Sequence, residues 1–212
     1  NVQLFSLATD GFVGGVAYSS SDIVRYNRGT NVWSMYFDGS DVGVTVNLDA
    51  FAYAGSSAIL MSFAEPTSLP GIGAIDDSDI VRFTPTTLGD NTTGTFQFYF
   101  DGSDVGLSTD DEDVNAVMPL AQGRFMLSTS GPFSLNNGAL TGTASDLLLF
   151  LPTQLGANTA GNWWFAFDGS DEGLDGIGEN VEGVTFFGGQ LHLTTDGDFA
   201  VSNSSGDASD IF

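Results

Sequence analysis

Cysteine and lysine are absent from this 212-residue chain, histidine occurs once, and four arginines face 27 acidic residues. Without cysteine there are no disulfides, no thiolate nucleophiles and no thiolate metal sites, and the redox compartment stays open. The single His192 removes the usual multi-histidine zinc site and weakens a Ser-His-Asp reading. A formal charge of -23 with so few cations excludes nucleic acid as a partner, because a run of phosphates needs a run of Lys or Arg. The same sign argument excludes an anionic membrane surface. Long apolar runs are also missing: the best candidate, Leu147 to Leu151, falls far short of the roughly 18 residues of a spanning helix. A soluble protein without membrane insertion is expected.

Apolar material is nevertheless plentiful. Hydrophobic residues make up 42% of the chain and include 18 Phe, 5 Tyr and 3 Trp, so a packed core is expected rather than a disordered acidic tail. The chain begins at Asn1 without an initiator Met, which is read as a cleaved leader in preference to a fragment. Two sequons, Asn91-Thr92-Thr93 and Asn203-Ser204-Ser205, fit an exported protein.

Internal repetition dominates the sequence. Phe37-Asp38-Gly39-Ser40-Asp41-Val42-Gly43 returns as Phe100 to Gly106 and, with Glu172 in place of Val, as Phe167 to Gly173. A second marker appears four times, at Ser21-Asp22-Ile23, Ser78-Asp79-Ile80, Ser145-Asp146-Leu147 and Ser209-Asp210-Ile211. A third aligns Asn47 to Phe51, Asp113 to Val117 and Asn180 to Val184 with Asn1 to Phe5. Together they divide one repeat domain, 1–212, into units 1–46, 47–112, 113–179 and an incomplete 180–212.

Within a unit the apolar period is two. Trp33, Met35 and Phe37 alternate with Ser34 and Tyr36, and Phe96, Phe98, Phe100 and Trp163, Phe165, Phe167 repeat the pattern. Asp22 to Tyr26 and Asp79 to Phe83 read as further strands, and a hairpin is expected from Val117–Leu120 to Arg124–Thr129. Its first-unit copy would join Phe5–Leu7 to the segment from Phe12 onward. No amphipathic helix survives this count. The fold class is therefore all-β, as tandem four-stranded antiparallel repeats. A small β-propeller of about four blades is the leading architecture, and an open β-solenoid or stacked-sandwich array is the alternative.

The combination of Phe-Asp-Gly-Ser-Asp-Val-Gly-Leu (100–107), Asp113-Val114-Asn115-Ala116, Gly-Arg-Phe-Met-Leu-Ser-Thr (123–129) and Ser-Asp-Ile-Val-Arg-Phe (78–83) resembles repeats in large, uncharacterised secreted or surface proteins of bacteria. The resemblance implies export, a secreted or cell-surface location and repetition. It transfers no catalytic residue.

The acidic loops carry the candidate sites. Asp38, Ser40 and Asp41, then Asp101, Ser103 and Asp104, then Asp168, Ser170 and Asp171 each place three oxygen side chains within four residues, as a calcium loop would. Asp49, Asp110, Asp111, Asp113 or Asp175 could complete a shell. The acids fall at the first and fourth places rather than the first, third and fifth of an EF-hand, and turn-forming Asp explains the same pattern without an ion. Acidic adaptation to high salt is a third account. Arg25 and Arg82 are expected to pair with nearby Asp.

Trp164 aligns with Ser34 and Gln97, so it is the candidate ligand-binding residue, for a glycan or a subunit contact; Trp163 is expected in the core. Acids that recur in every unit serve architecture better than one reaction centre. The expected function is a non-enzymatic extracellular structural or adhesive module, self-associating through its incomplete terminal repeat. A carbohydrate-binding module is the alternative, and a glycoside-acting enzyme ranks below both.

Overall fold

The structure, a computed structural model, describes residues 2–55 and 57–212. It is all-β, built from four successive main antiparallel sheets of three, four, four and two strands with four further two-stranded hairpins, and among the described residues no sheet closes on itself. The first unit contains β1 (Val2–Phe5), β2 (Gly11–Val13), β3 (Val16–Tyr18), β4 (Ile23–Asn27) and β5 (Val32–Phe37). The second contains β6 (Leu48–Tyr53), β7 (Ile59–Phe63), β8 (Thr67–Leu69), β9 (Gly73–Ile75), β10 (Ile80–Thr87) and β11 (Thr93–Phe100). The third repeats it with β12 (Val114–Pro119), β13 (Phe125–Thr129), β14 (Phe133–Leu135), β15 (Leu140–Gly142), β16 (Leu147–Gln154) and β17 (Ala160–Phe167). The fourth holds β18 (Val181–Phe187), β19 (Gln190–Thr195), β20 (Phe199–Val201) and β21 (Ser204–Gly206).

Each complete unit is a four-stranded meander in the order β6-β7-β10-β11 or β12-β13-β16-β17, with a two-stranded hairpin inserted between its second and third strands. Alternating apolar residues bury one face of a strand, and here both faces of the middle strands are covered. All five residues of β7 are buried because neighbouring units pack on either side. Three apolar clusters lie between successive units rather than inside one. Ile23, Phe37 and Val44 of the first unit meet Met61, Phe83 and Phe96 of the second. Leu60, Ile80 and Phe100 of the second meet Phe125, Phe150 and Trp163 of the third. Ala116 and Leu147 of the third meet Val181, Leu193 and Phe199 of the fourth. The aromatic geometry repeats with the sequence: Phe37 stands edge-on to Phe83 at 5.1 Å, and Phe100 to Phe150 at 5.1 Å.

The hairpin expected around residues 120–124 is present as β12 and β13. Its expected first-unit copy is not. β1 pairs with β4, while β2 pairs with β3 as the small inserted hairpin. Val24 faces Phe5 and Arg25 faces Leu4, matching Val81 with Met61 and Arg82 with Leu60. The first unit therefore begins at its second strand, and the alignment of Asn1 to Phe5 with Asn47 to Phe51 is corrected; Asn1 itself lies outside the described residues. Four alternating residues carry the same period in a first or a second strand, and only pairing distinguishes the two.

The Phe-Asp-Gly glycines are required by contact. Gly39, with φ -67°, and Gly102, with φ -67°, have ordinary helical backbones, yet an added Cβ would lie 2.4 Å from the carbonyl oxygens of Ser21 and Ser78; at Gly169 it would lie 2.4 Å from that of Ser145. Gly102→Ala is expected to lower unfolding free energy by about 1–3 kcal/mol through this backbone collision. The urea midpoint reads it, and an unchanged midpoint would contradict the close approach.

Candidate functional site

The three Asp-Gly-Ser-Asp loops share a single short helical turn and a common hydroxyl-to-carboxylate bond. In each, the first Asp accepts a hydrogen bond from the Ser hydroxyl two residues on: Ser40 Oγ to Asp38 at 2.7 Å, Ser103 Oγ to Asp101 at 2.8 Å, Ser170 Oγ to Asp168 at 2.7 Å. A single helical turn follows, and Gly43, Gly106 and Gly173 close it with φ of 84°, 100° and 95°. This left-handed backbone favours glycine.

The loops are tied at two levels. Within a unit, the Asp of the Ser-Asp-Ile marker receives the backbone N–H of the Phe-Asp-Gly glycine. Gly39 donates to Asp22 at 2.9 Å, Gly102 to Asp79 at 3.0 Å and Gly169 to Asp146 at 2.9 Å. The other carboxylate oxygen of each accepts a second backbone N–H three residues before it, from Ser19, Asp76 or Thr143. Burial pushes Asp79 up to about 6 despite these bonds.

Between units, the last Asp of the loop receives the backbone N–H of a threonine in the next unit. Thr92 donates to Asp41 at 2.8 Å, and Thr159 to Asp104 at 2.8 Å. The same threonine hydroxyls accept from the N–H of Asp38 and Asp101 and donate to Gly89 and Gly156 carbonyls. Gly89 N–H and Gly156 N–H in turn reach the carbonyls of Tyr36 and Tyr99 at 2.8 Å. Thr92 and Thr159 were not singled out from the sequence. Their signal was available: Leu88-Gly89-Asp90-Asn91-Thr92 and Leu155-Gly156-Ala157-Asn158-Thr159 are a further repeated marker, each in the turn between third and fourth strands.

A second constellation lies where the first strands meet. β6, β12 and β18 lie against one another, and β18 also reaches β6 across the intervening unit. Each of these strands has a bulge, between Leu48 and Ala50, Val114 and Ala116, and Val181 and Gly183. The residues at the bulges are Asp49, Asn115 and Glu182, and bulges re-aim side chains. Burial raises Asp49 to about 6. Asp113, 8% exposed, is pushed up to about 8 by burial, with Asp49, Asp77, Glu182 and Asp76 adding like-charge repulsion. Glu182 is exposed over much of its surface, but desolvation of its carboxyl and the charges of Asp49 and Asp196 raise it to about 7. Asp113 is the more enclosed acid and carries the argument. Its Oδ1, Asn47 Oδ1 and Asn115 Nδ2 are buried without a hydrogen-bond partner among the described residues. Among the described residues no group of three acids or histidines converges as metal ligands. Burial and like-charge repulsion disfavour the charged form of these carboxyls.

The remaining candidates separate. Trp163 is in the core, as expected, with Nε1 donating to Val105 of the preceding unit at 2.9 Å. Trp164 is 59% exposed on β17, opposite Leu149. His192 sits opposite Thr185 in the β18–β19 pair. Arg82 Nε has no hydrogen-bond partner among the described residues, and Arg25 and Arg82 act electrostatically on Tyr36 and Tyr99 rather than matching the expected Asp pairing.

The folded acids at the strand junction titrate above their unfolded values near 4. The folded state therefore keeps protons that the unfolded state has lost, and stability falls as pH rises from about 4 to about 8. Asp113→Asn is expected to flatten this decline and raise the melting temperature at pH 8 while leaving it nearly unchanged at pH 4. Parallel profiles for the two proteins would refute the cluster's role.

No protein-family model matches the chain, and no curated protein matches it. Among solved structures, the PQQ-bound form of aldose sugar dehydrogenase from Streptomyces coelicolor is similar at 12% identity and a TM-score of 0.39, covering 93% of each chain.

Proposed function

We propose that the chain is a non-enzymatic structural or adhesive repeat module of a secreted or surface protein, built as blades of a propeller-like array. The observation that carries this reading is the repeated Asp-to-threonine tie between units. The acids that looked most like a ligand site accept hydrogen bonds from a neighbouring unit's backbone, and they do so identically in two places. A reaction centre needs a constellation that occurs once, with acids free to exchange protons with substrate. Asp79, which lines an open recess with Asp101 and Ser103, has both oxygens engaged by backbone N–H groups.

Rotation about a common axis is favoured over a linear stack by the contact between β18 and β6. In a stack, the second and fourth units would be separated by the full thickness of the third. In a ring, innermost strands approach one another. The exposed Trp164 favours a second reading, a glycan contact on the outer strand.

The architectural reading makes a direct prediction for the loops. Thr159→Ala removes a buried hydroxyl that accepts from Asp101 N–H, and it should cost about 1–3 kcal/mol. The loss should be the same in EDTA and in millimolar calcium, measured by urea unfolding. A midpoint that climbs with calcium only when Asp101 and Asp104 are intact would replace this reading with an ion site.

A further inference from the structure

The open side of the third unit has the geometry of a socket. In the first two units, the outer strand is covered by the turn of the following unit. Phe37 and Phe100 are 0% exposed, and Met35, Tyr36, Phe98 and Tyr99 are half-buried. In the third unit the equivalent Phe167 is only half-buried, Phe165 is 38% exposed and Ala166 is exposed. The Asp168-Gly169-Ser170-Asp171 loop is nevertheless already folded, with the serine hydroxyl bond and the glycine N–H bond of its two counterparts.

The fourth unit is prepared in the same way. Phe212 exchanges two backbone hydrogen bonds with Leu193, at 3.0 and 3.1 Å, as Leu148 pairs with Leu127 and Val81 with Met61. A third strand has thus been started against β19. Asp210 accepts the N–H of Asp207 at 3.1 Å, as Asp79 accepts that of Asp76, but the fourth unit of these 212 residues contains no Phe-Asp-Gly glycine to donate to its other oxygen. Asp22, Asp79 and Asp146 are buried, whereas Asp210 is exposed.

We propose that this edge binds a β-hairpin of a further unit of the same repeat, supplied from outside these 212 residues. The chemistry of that hairpin follows from the two interfaces already formed. Ile80 to Phe96 and Leu147 to Trp163 share Phe-x-Pro-Thr-x-Leu-Gly-x-Asn-Thr-x-Gly at the same spacing. The third-strand Phe meets the preceding unit's Phe-Asp-Gly phenylalanine edge-on, the Gly N–H bonds the carbonyl before it, and the Thr N–H donates to the loop's last Asp. Phe167, the Ala166 carbonyl and Asp171 present the matching three features.

A second copy of the folded chain does not offer this hairpin. Both Leu-Gly-x-Asn-Thr turns are engaged within their own molecule. The remaining third-to-fourth-strand hairpin, in the first unit, is too short: six residues separate Tyr26 from Trp33, against twelve between Phe83 and Phe96 and between Phe150 and Trp163. It turns instead through Asn27, whose side chain accepts from Gly29 and Thr30.

The test uses the whole chain and a synthetic peptide with the sequence of residues 82–100, which takes up where Phe212, the counterpart of Val81, leaves off. Saturable binding is expected, read by isothermal titration calorimetry. A Thr92→Ala peptide, or an Asp171→Asn chain with the original peptide, should bind at least tenfold more weakly. A second arm avoids dependence on affinity: the peptide sequence is joined after Phe212, and the fusion should melt at higher temperature than its Thr92→Ala version. Absence of binding together with equal melting of the two fusions would overturn the proposal. So would binding indifferent to both substitutions, or head-to-tail oligomers of the chain alone that withstand Asp171→Asn.

Discussion

A carboxylate accepting backbone N–H groups is the interaction on which this architecture depends. It occurs in two forms, one closing a unit on itself through Asp22, Asp79 or Asp146, the other joining units through Asp41 or Asp104. Hydrogen bonds to a charged acceptor are roughly twice as strong as neutral ones. They also satisfy loop amides that a sheet cannot reach. The apolar clusters supply most of the burial, but apolar contact is not directional. The carboxylate bonds select the register in which Phe37 meets Phe83 and Phe100 meets Phe150.

The same side chain has a different meaning at the strand junction. Asp113 lacks the ring of N–H donors that Asp146 enjoys, one of its oxygens has no partner among the described residues, and its neighbours are other acids. Desolvation then favours the neutral form. Acidic residues in this protein thus divide by surroundings: those at the loops accept backbone N–H groups, while at the strand junction burial and neighbouring acids raise Asp49, Asp113 and Glu182. Net charge alone gives no hint of this division.

Strand identity, the repeat and the loop positions were legible because each rests on local pattern: period two in Trp33, Met35 and Phe37, and near-identical heptads. The start of the first unit was not, because whether Val2 to Phe5 pairs as a first or a second strand is decided by β4, nearly 20 residues away in sequence. Thr92 and Thr159 were missed for a related reason. Their value lies in reaching a loop more than 50 residues earlier, and a threonine in a polar turn looks ordinary until that loop is placed beside it. The cluster of Asp49, Asp113 and Glu182 was half visible. Two of the three were seen as acids, but the burial that changes their chemistry arises from three strands converging.

The six-residue deficit in the Tyr26-to-Trp33 turn sets the first unit apart from the two that follow it. Its tip has no Leu-Gly-x-Asn-Thr stretch, and so no counterpart of the threonine and glycine N–H groups through which Thr92 and Gly89 hold the preceding loop.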